Sequence, residues 1–350
     1  MEILSFEDAL ALAGEKRHLM LGNGFSVAVR PDIFRYGSLF GKANFTQFPE
    51  VTKTFKNIAS EDFEEAVQAL ESAALVLPGF MEDAQLVSDR MKECATKIKH
   101  VLVETIAGQH PARPGDLTNQ QYESCIQFLK NFRDKPGDGR IFTLNYDILL
   151  YWVLMHGMEE KKIAFDDGFR TDTDHADAEY VVWDDSAHQQ NVYYLHGALH
   201  LFDGGHELQK YSWKRTDIAL IDQTREAIRK NFFPLFVAEG TSHKKLEKIY
   251  HHGYLSKGLR SLGAINHSLF LHGVSLSVND EHLVKIIVKN TKLTKIFVSL
   301  YGSPDTQNNR ATIAAALSTS QKRDSKHPLE VHFYDSETAN VWGMTRRCPA

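Results

Sequence analysis

Two periods of apolar residues organise this 350-residue chain. Phe6 to Ala13 recur as a short amphipathic helix, and the apolar run closing at Leu21 predicts a strand. Residues 22–35 then read as a loop and the start of a helix. From about 60 to 134 the helical period takes over. Phe63, Ala66, Val67 and Leu70 share one face, then Val87, Met91, Cys94, Ile98, Val101 and Leu102, and later Leu129 and Phe132. The turn-rich stretch Gly108 to Gly115 separates two of these helices. Beyond the turn Pro136-Gly137-Asp138-Gly139, the period shortens: Arg140–Leu144 predicts a strand and about Ile148–His156 a helix. The acidic tract Asp166 to Asp185 reads as a long loop with short strands, and Val192–Leu195 as a strand. Residues 207–232 follow neither period cleanly. Strands are predicted at Leu235–Ala238, Ser268–Leu271, Ile296–Leu300 and Leu329–Phe333. Helices between and around them are predicted at Lys244–His251, about Asp280–Lys289 and Thr306–Ser318. Strands alternating with long crossovers predict an α/β fold with an open, mostly parallel sheet. The chain reads as a single domain over 1–350 with a helical insertion at about 50–135.

Composition narrows the class without naming a chemistry. Hydrophobic residues at 43% and charged residues at 24% are those of a globular protein with a sizeable core. A net charge of −5 argues against a nucleic-acid surface spread over the whole molecule, so nucleic acid is expected only indirectly. No apolar run reaches membrane-spanning length, and Glu2, Glu7 and Asp8 interrupt any signal-like start. No membrane association is expected. Cys94, Cys125 and Cys348 are isolated, which excludes a disulfide framework and a CxxC zinc module and suits a reducing cytoplasm. The 17 histidines show no HExxH spacing, the pair His251-His252 reads as surface, and no metal is expected.

Three distant segments offer chemistry suited to a nucleotide pocket. Gly22-Asn23-Gly24-Phe25-Ser26 stands where the first strand yields to a helix. Glycines there permit close backbone approach to a pyrophosphate, and a helix start offers free N–H groups. Val27 occupies the place of the third glycine of a full G-x-G-x-x-G motif, so a tight left-handed turn explains the same residues. Asn145 and Asp147 fall at a strand's carboxyl end, where α/β sheets bind ligands; Asp147 also suits a helix N-cap. His196, before Gly197, can take a proton from a sugar hydroxyl, or can be a structural histidine, as can His200. Gly273-Val274-Ser275-Leu276-Ser277 is another strand–glycine–hydroxyl turn. Glu239-Gly240-Thr241-Ser242 reads as a turn with a cap at Thr241 or Ser242.

As a set these residues resemble the sirtuin-like superfamily, specifically the bacterial sirtuin-like proteins of phage defence. The family's GAGxS loop is similar to Gly22-Asn23-Gly24-Phe25-Ser26, and its TQNID segment to Thr143-Leu144-Asn145-Tyr146-Asp147. The family's His-Gly pair resembles His196-Gly197, and its GTSL turn resembles Gly273-Val274-Ser275-Leu276. The stretches Gly273 to His282 and Glu239 to Ser242 also look like their counterparts, and the order along the chain is the family's. Two departures stand out. Between Cys125 and Cys348 there is no cysteine for the deacetylases' four-cysteine zinc module. Only a loose echo, Pro31-Asp32-Ile33-Phe34-Arg35, stands for their Pro-Asp-Phe-Arg run.

The resemblance implies a Rossmann-like fold and hydrolysis of NAD to ADP-ribose and nicotinamide rather than deacylation of a peptide. It implies Asn145 orienting the ribose or a water, His196 as base, and Asp147 on the carboxamide. Gly22, Asn23, Gly24, Ser26, Gly273 and Ser275 would hold the pyrophosphate and adenosine side. An effector that depletes NAD must be silent until triggered, so activation by a regulatory protein partner or by self-assembly is expected, with the helical block as docking surface. A non-catalytic NAD- or ADP-ribose-sensing module and an ADP-ribosyltransferase remain open.

Overall fold

The computed structural model describes residues 2–133, 139–172, 177–212, 218–230, 232–238 and 241–343, with backbone only at 36–38. Among them, strands form two sheets. In chain order they are β1 (Ile3–Leu4), β2 (Arg17–Leu21), β3 (Ile141–Thr143), β4 (Phe169–Arg170), β5 (Tyr180–Trp183), β6 (Val192–Tyr194), β7 (Gly197–Asp203), β8 (Leu208–Tyr211), β9 (Pro234–Phe236), β10 (His267–His272), β11 (Leu293–Leu300) and β12 (Glu330–Asp335).

The main sheet has seven strands in the order β1-β12-β11-β10-β2-β3-β6, and every neighbouring pair is parallel. This is a Rossmann-like open α/β sheet. From β2 the chain steps outward through β3 to β6, then returns to the other side of β2 and steps outward through β10, β11 and β12. The two halves diverge between β2 and β10, the place where open α/β sheets leave a crevice at the carboxyl ends of their strands. The inner strands are buried on both faces, from Leu19 to Leu21 and from Ser268 to His272, which is why their sequence runs apolar without alternating.

Helices cover both faces. Ser5 caps the helix Phe6–Ala13 by accepting from the Asp8 amide, and Gly14, at φ +78°, ends it. Helices at Pro49–Ile58, Phe63–Val76, Gln85–Gln109 and Asn119–Arg133 make up the helical block. The third runs through Gly108, past the point where the turn-rich stretch begins, because its apolar face continues to Ile106 and Ala107. The fourth lies directly on the sheet, where Phe132 meets Phe270 of β10 at 5.3 Å between ring centroids, and it also touches the first helix through Phe128 and Phe6 at 5.4 Å. No described helix is long and apolar enough to cross a membrane.

A second sheet, with the order β4-β5-β8-β7-β9, is antiparallel throughout. It was not foreseen as a sheet. Its strands β4 and β5 fall in the acidic tract, and β7 follows β6 after only Leu195 and His196, with no turn-rich break between them. The break is conformational. Gly197 sits at φ +81°, and a Cβ there would lie 2.0 Å from the Leu235 carbonyl oxygen. That glycine turns the chain out of the parallel sheet and into the antiparallel one. A helix at Gly253–Gly263, also unanticipated, packs against β6, where the Tyr254 hydroxyl accepts from the Tyr194 amide. The turn Pro136 to Asp138 and residues Glu239 and Gly240 lie outside the described residues, as does Cys348; Cys94 and Cys125 are buried free thiols.

Candidate functional site

Two glycine turns meet at the point where the sheet halves diverge. The Gly22 amide donates to the His272 carbonyl at 3.0 Å, and the Gly24 amide to the Gly273 carbonyl at 3.1 Å. A Cβ on Gly22 would stand 2.5 Å from the Gly273 oxygen, and one on Gly24 would stand 2.6 Å from the Gly273 Cα. Gly273 itself has φ +68°. The close backbone approach that these glycines permit is therefore to one another, and two of the amides expected to face a phosphate are already bonded. Asn23 donates its side-chain amide to the Phe34 carbonyl at 3.1 Å. In the second turn Val274 and Leu276 point inward, and Ser275 is exposed at the crevice rim.

Ser26 is the residue through which the first turn reaches the candidate chemistry. It lies one turn into the helix Asn23–Val29 and is fully buried. Its hydroxyl donates to Asp147 Oδ2 at 2.5 Å and accepts from Asn145 Nδ2 at 2.8 Å. Asp147 Oδ1 accepts the Leu149 amide at 3.0 Å, so the capping role read from the sequence is present alongside the bond to Ser26. Burial pushes the Asp147 carboxyl up to about 6, against the pull of its hydrogen bonds. The turn that presents Asn145 is pinned at several points. Its amide donates to Thr143 Oγ1, the Ile148 amide to His110 Nε2, and the Tyr146 hydroxyl to the Val237 carbonyl.

His196 leaves β6 beside Asn145. The parallel ladder runs one step past both strands, with the Leu195 amide donating to the Thr143 carbonyl at 2.9 Å. The side chains then go to different partners: Asn145 to Ser26, and His196 Nε2 to His282 Nε2 at 3.2 Å. His282 begins the helix Glu281–Lys289 that follows β10. In the sheet β2 and β3 separate β10 from β6, so the loop 273–280 crosses about 14 Å of carboxyl edge to deliver it. Ser242 fixes that imidazole, lying 3.3 Å from Nδ1 and accepting the His282 amide at 2.7 Å. Beside it Asp280 faces Lys245 Nζ at 3.3 Å, and Lys245 also holds Glu64 Oε2 at 2.7 Å. The Lys245 side chain is only 1% exposed.

Charge in this second cluster is set by burial. It drives the His196 imidazole well below its ordinary range, helped by Lys245 and His282, and brings His282 to about 4. Both rings are neutral at neutral pH. Glu64 is pushed up to about 7 by burial. Burial also pulls on the Lys245 ammonium, but Glu64 and Asp280 outweigh it and hold the group charged. His200, by contrast, is buried on β7 against the Tyr151 and Tyr194 rings.

Of the residues singled out from sequence, the structure brings together Gly22, Gly24 and Gly273, and separately Ser26, Asn145 and Asp147. His196 adjoins the latter group but bonds to His282, which sequence reasoning did not select. Lys245 and Glu64 were also missed; Ser242 was read only as a possible cap, and the cap is Thr241, which accepts the Lys244 amide. Glu64 comes from the helical block, at a position indistinguishable from any solvated glutamate in a helix's first turn. An open groove of about 470 Å³ lies elsewhere, over the second sheet, lined by Trp183, Asp184, Asp203, Glu207, His251 and others. None of the candidate residues lines it, and its acidic walls suit a solvated surface.

The fold and these clusters define a Rossmann-like α/β protein with buried polar machinery along the carboxyl edge of its sheet. Residues 19–342 match the family model described as Domain of unknown function (DUF4917), and the chain belongs to that family. No curated protein matches the chain.

Proposed function

We propose that the protein is an NAD+ glycohydrolase that releases nicotinamide and ADP-ribose, of the kind its sirtuin-like motifs imply, acting in the cytoplasm in defence against phage. The observation that supports it most is the emergence of Asn145 and His196 from the ends of the adjacent strands β3 and β6, on the β2 side of the divergence point. Cleavage of the glycosidic bond develops positive charge on the ribose, so the site must hold the sugar and activate one water. The neutral His196 offers a lone pair for that water or for a ribose hydroxyl. Asn145, aimed by the Ser26–Asp147 pair, would orient the sugar. Asp147, with both oxygens engaged, acts here by positioning Ser26 and Asn145. The glycine turns shape the wall of the crevice, with Ser275 at its rim on the phosphate side.

Ser26, Asn145, Asp147 and His196 are closed off and bonded within the protein. Asn145 is 9% exposed, Asp147 6% and His196 3%. That closure fits a resting state and supports activation by a partner or by self-assembly. The helical block ends in an exposed apolar tip, with Leu75, Phe80 and Leu86 at 72%, 86% and 84% exposure, where such a contact would form. The test is nicotinamide release from NAD by the purified chain, alone and with its co-encoded partner. Release that is abolished in His196→Ala and Asn145→Ala supports the proposal. NAD binding with no release in the activated assembly would leave the non-catalytic sensing module instead, and ADP-ribose retained on a macromolecule would indicate a transferase.

A further inference from the structure

We infer that His196, His282 and Asp280 form a binding site for a divalent transition metal ion, with Zn2+ the best fit to the donor set. One ligating atom from each of the three lies within 4.8 Å of the others. The two imidazole nitrogens that face each other are 3.2 Å apart. Two nitrogens bound to one tetrahedral zinc at about 2.05 Å stand about 3.3 Å apart, so the pair needs almost no movement to share an ion. Asp280 and His282 are separated by a single residue where the loop passes into its helix, so the carboxylate and the imidazole arrive on one side of His196.

The surroundings match those of metal-bound histidines elsewhere. A ligating imidazole is normally held by a hydrogen bond from its other nitrogen, which fixes the ring and leaves the ligating nitrogen with its lone pair. Ser242 Oγ stands in that place on His282, 3.3 Å from Nδ1. Charge is also suitable. Two carboxylates, Asp280 and Glu64, face the single ammonium of Lys245, so with Glu64 ionised the cluster carries a net −1 and a dication brings it to +1. Three protein ligands leave a fourth position for water, the arrangement of an open zinc site. The other grouping with ligand chemistry, Glu123, His156 and Glu160, lacks these features. It is partly exposed, Lys162 already pairs with both of its carboxylates, and the Tyr122 ring stacks on its histidine.

An ion here occupies His196 Nε2, the atom that would otherwise take a proton. Metal occupancy and the base role are mutually exclusive, so the ion acts as a stop on the chemistry proposed above. That consequence rests on the proposed hydrolase activity; the site itself does not.

The experiment uses the full chain, first freed of metal by a chelator and then titrated with Zn2+ by calorimetry and with Co2+ by visible absorption. One equivalent per chain, with tetrahedral-type Co2+ bands, is expected. His282→Gln and Asp280→Asn are each expected to weaken binding at least tenfold while far-UV circular dichroism stays unchanged. If His282→Gln fails to fold, Asp280→Asn together with a rise in wild-type Tm on adding Zn2+ carries the test. Absence of stoichiometric binding to folded wild type, or full-affinity binding by both variants, overturns the site. Nicotinamide release is then read with Zn2+ and with chelator. Suppression by Zn2+ supports the stop. Release at equal rates under both conditions, with the site filled, refutes the stop, and metal binding in a chain that releases no nicotinamide under any condition refutes the hydrolase reading while the site stands.

Discussion

Two polar clusters lie side by side on the carboxyl edge of the parallel sheet, and they are built on opposite plans. The first, Ser26 with Asn145 and Asp147, uses residues within five positions of the ends of β2 and β3, neighbouring strands. Its groups are uncharged or a single carboxyl, and they satisfy one another in a short chain of hydrogen bonds. The second cluster joins His196 to His282, Asp280, Lys245, Ser242 and Glu64, drawn from widely separated stretches of sequence. It holds a buried ammonium and two carboxylates. A strand end fixes its side chains wherever the sheet goes, so the first cluster is a local product of the fold. The second exists only when the loop after β10, the helix from Ser242 and the helical block are all docked, which makes it the place where docking can be coupled to chemistry.

The strongest way to break the comparison is to ask which cluster the chemistry needs. If both serve NAD hydrolysis, His196→Ala and Asn145→Ala each lower kcat for nicotinamide release by about 10² to 10⁴, the usual worth of a positioned base or orienting group. The asymmetry appears in the product of the two changes. His196→Ala should remove the pH dependence contributed by the second cluster, whereas Asn145→Ala should keep it at a lower rate. A wild-type rate in either variant removes that residue from the mechanism.

Next in size is a test of whether the second cluster is one unit. Glu64→Ala leaves the buried Lys245 ammonium with Asp280 as its remaining carboxylate. Removing one partner of a buried ion pair costs about 3–5 kcal/mol, and the partial exposure of Glu64 places this case near 3 kcal/mol. Urea unfolding of the variant measures it. Glu64→Gln, which keeps an acceptor for Lys245, should lose less. A loss under 1 kcal/mol for Glu64→Ala would mean that the helical block merely rests against the site.

The same contrast explains what the sequence could reveal. Ser26, Asn145 and His196 were legible because each follows an apolar run, and the end of a strand in an α/β sheet is a defined place. The capping position of Asp147 was legible from Ile148-Leu149-Leu150 for the same local reason. Gly22 and Gly24 were noticed for the right property, backbone closeness, but the partner proved to be Gly273 rather than a ligand. Such pairing depends on the order of strands, which no local pattern records. The antiparallel sheet escaped because Tyr194 to Phe202 is a mostly apolar run, interrupted only by His196 and His200, whose direction changes at one glycine. Lys245 and Glu64 escaped because charged residues in helix first turns are ordinary when solvated; only docking of distant helices makes these two buried partners.

The last test is of the first cluster, and it is read through pH. Burial raises the Asp147 carboxyl from its ordinary 3.8 to about 6 in the folded protein. The folded state therefore holds this proton over a range where the unfolded chain has released it, and stability falls as pH rises from about 4 to 6, then levels off. A shift of this size corresponds to about 3 kcal/mol in total. Asp147→Asn keeps an oxygen for the Leu149 amide, places an NH2 where Oδ2 accepts the Ser26 hydroxyl, and has no proton to lose. Its unfolding free energy, followed by urea titration between pH 4 and 7, should lack that fall, so the wild-type and variant curves should converge at the acid end and separate toward neutrality. Glu64 and the buried histidines titrate in both proteins and drop out of the difference. Curves that stay parallel across this range would mean that Asp147 is ionised throughout. The first cluster would then carry its charge from pH 4 upward, and the proton that burial gives it below about pH 6 would be absent.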